Sequence, residues 1–278
     1  MKSIGYYNGV IAPTDEIRIP MNDRVVYFGD GVYDAAFIFE GKPFALDDHL
    51  DRFYSSCKQI NIAFDMPRGE LEALLRDLCS RLDTECGMLY WQATRGTAPR
   101  SHIFPTEKPL KPNLLAYVSE KPRPDMTKKV KLITVPDRRY EFCNIKTLNL
   151  IPNCLAATAA EDAGCQEAVF HRGPIVTECA HSNCSIIAGG HFITHPLNRF
   201  ILPGTVRRHV ISICRELAIP VEEREFTIDE LADADEIVLT SATALVRSAC
   251  ELNGSPAGGR APELLTAIQN AYAKRIFG

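Results

Sequence analysis

Asn8-Gly9, set between Ile4-Gly5-Tyr6-Tyr7 and Val10-Ile11-Ala12, constrains this chain more than any other short stretch. Both central residues of the favoured two-residue hairpin turn need a left-handed backbone, which Asn and Gly accept at little cost, so the pair predicts a tight hairpin. Glu40-Gly41, between apolar runs at 35–39 and 42–46, predicts a second one. From residue 47 the hydrophobic period changes from two to that of a helix. Leu50, Phe53, Tyr54, Cys57 and Ile60 fall on one helical face, and Leu71, Leu74, Leu75, Leu78 and Leu82 on another. Strands are predicted at 88–93 and 114–118. The loop between them, 94–112, is too polar and too rich in proline to be either element. A loop that long in a compact domain usually carries function.

The stretch Ser119-Glu120-Lys121-Pro122-Arg123-Pro124-Asp125 has two prolines around charged residues and no apolar period, and it reads as a linker. It divides a smaller domain, 1–118, from a larger one, 126–278. In the second, strands are predicted at 129–135, 167–171, 175–177, 185–187, 191–194 and 236–240, with turns at Gly173-Pro174 and Gly189-Gly190. Helices are predicted at 152–162, stopped by Gly164, at 205–217 and at 262–276; Thr227 and Glu230 have the spacing of a capping box. The fold class is α+β in two unequal lobes.

With 278 residues, 46% of them hydrophobic, the chain can bury a sizeable core. Its net charge of -4 leaves no excess of Lys and Arg to meet a polyanion, so nucleic acid is not an expected partner. The first residues lack the apolar core of a signal peptide and no run approaches a membrane span, so the expectation is a soluble, cytoplasmic protein with no membrane partner. The ten cysteines are scattered without paired spacing and read as reduced thiols, mostly small buried side chains. Cys179 and Cys184 lack a CxxC spacing. His191 and His195 lie in an alternating segment, where strand residues four apart are roughly 13 Å from each other. No metal site is expected.

Four segments could carry chemistry. Lys146 sits among Ile145, Thr147, Leu148 and Leu150; it is either a surface lysine or a partly desolvated amine whose lowered pKa makes it an imine-forming nucleophile. Glu178 follows Ile175-Val176-Thr177 and precedes Cys179, Ala180, His181, Ser182 and Asn183. A carboxylate in so apolar a setting needs a cationic partner, such as a protonated pyridine nitrogen, unless it is an exposed strand end. Leu202-Pro203-Gly204-Thr205 precedes an amphipathic helix whose free amides could bind an anion, although many helices start this way. Arg52, in Asp48-His49-Leu50-Asp51-Arg52-Phe53, could equally pair with Asp48 one turn back.

In order and spacing, six segments resemble the fold-type IV pyridoxal-5′-phosphate (PLP) enzymes, a family of D-amino-acid transaminases, branched-chain aminotransferases and aminodeoxychorismate lyases. They are Phe28-Gly29-Asp30-Gly31-Val32-Tyr33, His49-Leu50-Asp51-Arg52, Asn144-Ile145-Lys146-Thr147-Leu148-Asn149, Val176-Thr177-Glu178, Ser182-Asn183 and Leu202-Pro203-Gly204. The resemblance implies that Lys146 is the Schiff-base lysine and proton shuttle, that Glu178 pairs the pyridine nitrogen and that Arg52 grips the phosphate. It places Arg139 near the cofactor's phenolic oxygen. Ser182, Asn183, Leu202, Gly204, Thr205, Val206, Ser241 and Ala242 complete the cofactor set.

The segment Arg95-Gly96-Thr97-Ala98-Pro99-Arg100-Ser101-His102-Ile103-Phe104-Pro105 looks most like the D-amino-acid transaminase branch. The family's dimer implies that Arg100 and His102 reach into the partner subunit's site, where Tyr33 joins them around the substrate α-carboxylate. The implied activity is ping-pong transfer, through pyridoxamine phosphate, of the amino group of a D-amino acid such as D-alanine to a 2-oxo acid such as 2-oxoglutarate. A branched-chain L-amino-acid aminotransferase, an aminodeoxychorismate lyase and a non-catalytic PLP-binding protein are the alternatives. Two departures from the family stand out. Val206 replaces a common Thr, with the hydroxyl shifted to Thr205, and Leu245 and Ser248 stand where Glu and Pro are usual, beside an unexpected cation, Arg247.

Overall fold

The computed structural model describes residues 3–105 and 110–278. The stretch 106–109 of the expected loop lies outside the described residues. The chain forms two compact units, one made of residues up to Arg123 together with Ile145–Asn149, the other of Pro124–Asn144 and Leu150–Gly278.

The first unit begins with the expected hairpin of β1 (Ser3–Tyr7) and β2 (Val10–Pro13). Asn8 and Gly9 hold φ of 44° and 96°, the positive pair such a turn demands. A short helix α1 (Arg24–Phe28), unforeseen in the sequence, is capped by Asp23, whose carboxylate accepts the Val25 amide at 2.9 Å. Then come β3 (Gly31–Phe39), β4 (Lys42–Pro43), α2 (Leu46–Gln59), α3 (Arg68–Ser80), β5 (Cys86–Thr94) and β6 (Asn113–Glu120). The strand expected at 42–46 ends at Pro43, because Ala45 turns left-handed and Leu46 opens α2.

The six strands form an antiparallel sheet in the order β2-β1-β6-β5-β3-β4. Alternation sends Val32, Asp34, Ala36 and Ile38 of β3 to one face, with Leu89, Trp91 and Ala93 of β5 beside them. Leu50 and Phe53 of α2 and Leu71, Leu75 and Leu78 of α3 cover that face and are essentially fully buried. The helical spacing read from the sequence is the spacing that packs.

The second unit contains β7 (Val130–Pro136), α4 (Ile151–Asp162), β8 (Glu167–Arg172), β9 (Ile175–Cys179), β10 (Asn183–Ala188) and β11 (His191–Thr194). After these follow α5 (Thr205–Glu216), β12 (Val221–Glu223), α6 (Ile228–Ala232), β13 (Glu236–Ser241), β14 (Leu245–Leu252), β15 (Ser255–Pro256) and α7 (Pro262–Phe277). Its sheet is mixed and runs β12-β11-β10-β13-β14-β7-β8-β9, with β15 on β14. The pairs β11·β12, β14·β7 and β7·β8 are parallel. Thr227 and Glu230 make the expected capping box on α6. Strand β14 is not legible in the sequence, because Arg247 and Ser248 break its apolar run. Pairing with β13 on one side and β7 on the other decides its conformation. Among the described residues no helix is long and apolar enough to cross a membrane.

The linker expected at 119–125 starts later. Ser119 and Glu120 belong to β6, where Ser119 pairs with Ser3 and Met88. The single cut between 1–118 and 126–278 also misses a return of the chain. Thr147 bridges Val32, the Tyr33 amide donates to the Lys146 carbonyl at 2.9 Å, and the Leu148 amide donates to the Gly31 carbonyl at 3.1 Å. Backbone pairing to β3 therefore ties Lys146 to the first unit rather than to the larger one.

Gly96 shapes the start of the long loop. Its φ is 115°, and a Cβ there would overlap the Lys111 carbonyl oxygen. Gly96→Ala is expected to cost about 1–3 kcal/mol of stability or more, seen as a lower urea midpoint at unchanged slope.

Candidate active site

In the first unit the polar centre is Asp34, fully buried on the helix-facing side of β3. Helix α2 hangs His49 and Arg52 over it, one turn apart. Arg52 donates from Nε to Oδ2 at 2.9 Å and from Nη2 to Oδ1 at 2.7 Å, a two-point grip, while His49 Nδ1 lies 2.8 Å from Oδ1. Burial alone raises a carboxyl's pKa, but here Arg52 and His49 outweigh it and hold Asp34 well below the usual carboxylate range. Burial pushes the His49 pKa down, and the positive charges of Arg52 and Lys146 push it further the same way against Asp34. Arg52, read from the sequence as a phosphate ligand with Asp48 as its other possible partner, is thus fixed in direction by Asp34.

Lys146 joins this cluster through its backbone, which donates to Ser56 Oγ of α2 at 3.3 Å. Its Nζ lies 4.2 Å from the centre of the Tyr33 ring. Tyr33 points to the sheet face opposite Asp34 and begins an aromatic row. It stacks on Tyr90 at 5.4 Å, and Tyr90 stacks on Tyr117 at 5.0 Å. Arg100 and His102 are exposed and flank one ring, each 5.3 Å from the centre of Phe28. They come together through bends in the chain, not by the alternation of an extended strand. Two buried arginines fix the start of this loop. Arg24 Nε donates to Asp30 at 2.7 Å and its Nη1 to the Ser101 carbonyl at 2.7 Å, while Arg95 Nε donates to the same Asp30 at 2.9 Å. Phe104 lies over Arg95, 3.6 Å from ring centre to guanidinium.

In the second unit the polar centre is Glu178, at the end of β9. One oxygen accepts Arg139 Nη1 at 2.5 Å; the other accepts Asn183 Nδ2 at 2.9 Å and the Leu202 amide at 3.0 Å. Burial pushes the Glu178 pKa up, and Arg139 pulls against it. Asp137 anchors Arg139 from behind at 2.9 Å from Nη2 and also accepts Thr177 Oγ1 at 3.1 Å. The donors of Arg139 go to Glu178, Asp137 and the Phe200 carbonyl, so it also holds the carboxylate in place. Asn183 also donates to the Leu202 carbonyl at 2.9 Å, locking Leu202-Pro203-Gly204 against β10.

Gly204 caps α5 without a side chain, and a Cβ there would overlap the Asn183 amide oxygen. The first-turn amides, with Thr205 and Val206 buried at the helix start, therefore form a bare positive helix end suited to a phosphate. Ser182 faces away from Glu178: its hydroxyl donates to Glu167 at 2.9 Å. Ser241 and Ala242 lie in the turn between β13 and β14, where Ser241 Oγ accepts the Ala244 amide at 3.1 Å. Asp34, Asp137 and Glu167 are the polar residues the sequence reading missed. A lone carboxylate at an inward position of an alternating strand was the available signal for Asp34.

The first unit offers a lysine beside an aromatic face. The second, by itself, offers a buried carboxylate able to pair a cationic ring nitrogen and a bare helix end suited to a phosphate, donor types that a phosphorylated pyridine aldehyde calls for. The chain belongs to the class IV aminotransferases, whose family description matches residues 31–252. Over 274 residues it is 36% identical to the D-alanine aminotransferase of Staphylococcus aureus strain MSSA476, covering 98% of this chain and 97% of that one. It is 34% identical to the D-alanine aminotransferase of Listeria monocytogenes serotype 4b over 273 residues, 97% of this chain and 94% of that one. Among solved structures, the branched-chain aminotransferase of Thermoproteus uzoniensis with norvaline superposes with a TM-score of 0.86 at 23% identity, covering 99% and 94% of the two chains. The branched-chain amino acid aminotransferase of T.th., solved with pyridoxamine 5′-phosphate, gives 0.86 at 22%, covering 99% and 95%. These likenesses show the fold-type IV fold, and the family's cofactor is PLP.

Asp34→Asn tests the first cluster. The folded pKa of Asp34 lies below its unfolded value, so the carboxylate's stabilisation is complete above that unfolded value, about 3.9, and is lost as pH falls through the folded one. The variant is expected to be about 3–5 kcal/mol less stable at pH 7, because it strands two donors on a buried partner. In urea melts the gap to the wild type should narrow below about pH 4.

Proposed function

We propose that this protein transfers the amino group of a D-amino acid, D-alanine among them, to a 2-oxo acid, with PLP as cofactor. The observation that carries the reading is the near full-length similarity to D-alanine aminotransferases, joined to a buried carboxylate that Arg139, Asn183 and an amide hold ready for a cationic partner. The branched-chain structures support the fold alone.

When bound, the cofactor withdraws electrons from the substrate Cα and carries the amino group between the half-reactions. Lys146 supplies the amine that attaches the cofactor and moves the proton at Cα. Glu178 keeps the ring nitrogen charged, with Arg139 and Asp137 fixing its position. The first-turn amides of α5, with Gly204, Thr205 and Val206, hold the phosphate; Arg52, Ser241 and Ala242 assist. Val206 gives only its amide, so backbone donors carry more of that contact. Arg100, His102 and Tyr33 take the substrate α-carboxylate. An arginine fork suits this task because it donates two parallel charged hydrogen bonds to a planar acceptor. Arg100 and His102 serve the partner subunit's site in a homodimer. A cytoplasmic enzyme is in keeping with ten cysteines that all remain free thiols.

Borohydride reduction followed by peptide mass spectrometry should leave the cofactor on Lys146, and Lys146→Ala should carry no adduct; an adduct on another lysine removes the assignment. Glu178→Gln should still bind PLP but turn over about 10²–10⁴-fold more slowly. Stereochemistry is the sharper test. The wild type should prefer D-alanine to L-alanine, and Arg100→Ala should lose about 2–5 kcal/mol of transition-state binding in kcat/KM for D-alanine while retaining the cofactor. Preference for L-amino acids overturns the reading.

A further inference from the structure

A cavity of about 210 Å³ lies within the second unit, walled by Glu167, His181, Ser182, Ser241, Thr243 and Arg247 among others. Its charges are unevenly matched. The Glu167 carboxylate is already taken by His181 Nδ1 at 2.5 Å, Ser182 Oγ at 2.9 Å and the Ala168 amide at 3.2 Å. The hydrogen bond to Glu167 raises the His181 pKa, so these two form a near-neutral pair. Arg247 has no such partner. It projects from β14 opposite Leu239 of β13, and its Nε is buried with no hydrogen-bond acceptor among the described residues. Asp125, outside the cavity, feels the charge of Arg247, but its exposed carboxylate already accepts the Thr127 amide and hydroxyl at 2.9 and 2.6 Å. A buried donor without an acceptor is costly to keep, so the site is built for a ligand that supplies one.

From this geometry we infer that Arg247 seats the distal carboxylate of a dicarboxylic substrate, a D-amino acid with an acidic side chain or the matching 2-oxo diacid. Three features select that class. A planar carboxylate matches the guanidinium fork in two-point fashion. The volume is smaller than the ~300–1,000 Å³ of drug-sized ligand pockets, which suits a short acidic side chain and excludes a nucleotide. Ser241 lines the cavity and also belongs to the set proposed above for the cofactor's phosphate, so a molecule reacting at the cofactor has its far end within reach of this wall. The inference rests on the transaminase reading above and adds the residue that sets side-chain preference.

The test compares wild-type holoenzyme with Arg247→Met, which keeps length and removes the charge, and with Arg247→Lys, which restores it. Arg247→Met should lose at least about tenfold more kcat/KM for D-glutamate than for D-alanine. Arg247→Lys should recover part of that loss. Glutarate, which cannot react, should bind the wild-type holoenzyme in calorimetry, compete with D-glutamate, and bind Arg247→Met at least about tenfold more weakly. Equal losses on the two amino acids, unchanged glutarate affinity or non-competitive glutarate would overturn the assignment. So would weaker PLP binding by Arg247→Met apoprotein, which would make Arg247 a phosphate ligand instead. If the wild type turns over neither amino acid, the transaminase reading fails, and glutarate titration of the two proteins still decides the Arg247 site.

Discussion

Glu178 can be buried only because Arg139, Asn183 and an amide meet it, and Arg139 can be buried only because Asp137 meets it from the other side. A carboxylate taken out of water alone would pick up a proton; a guanidinium alone would be left with empty donors. The chain of charges Asp137, Arg139, Glu178 solves both problems, and Arg172 adds a further cation 3.2 Å from Asp137. Much of the second unit is positioned by it. Asn183 and the Leu202 amide are held on Glu178, and through them so is the turn that starts α5. The carboxylate and the helix end are thus placed by one set of hydrogen bonds.

The first unit repeats the principle with the sign of the centre unchanged. Asp34 organises Arg52 and His49 from α2, while Asp30 organises Arg24 and Arg95 at the base of the long loop. The loop's exposed tip can carry Arg100 and His102 at a fixed place because its base is nailed down by buried charge and by Phe104 lying over Arg95. Rigid scaffold beneath, polar reach above, is the usual division of labour for a functional loop.

Local signals in the sequence account for much of this. Asn8-Gly9, Glu40-Gly41, the regularly spaced leucines of α3 and the Thr227–Glu230 box all depend on neighbours within a few residues, and the structure keeps each of them. Lys146 and Glu178 are legible as residue types in unusual company. Strand β14 is not, since its conformation is set by pairing to β7 more than a hundred residues away. Asp34 and Asp137 are hidden for a related reason. A single acidic residue in an apolar strand says that a cation must be near, yet the sequence does not say whether it comes from two residues on, as for Asp137 and Arg139, or from eighteen, as for Asp34 and Arg52.

The return of Ile145–Asn149 to the first unit has a consequence for how the molecule is made. A ribosome releases the sheet, both of its covering helices and the loop well before it releases Thr147, the residue that bridges Val32. The first unit can therefore collapse early, but its lysine arrives late, after the second unit's first strand has already emerged. Contacts so distant in sequence are slow to close. A fragment cut at Arg123 would hold Asp34, His49 and Arg52, and it would lack Lys146 and the backbone pairing that Ile145–Asn149 adds to β3.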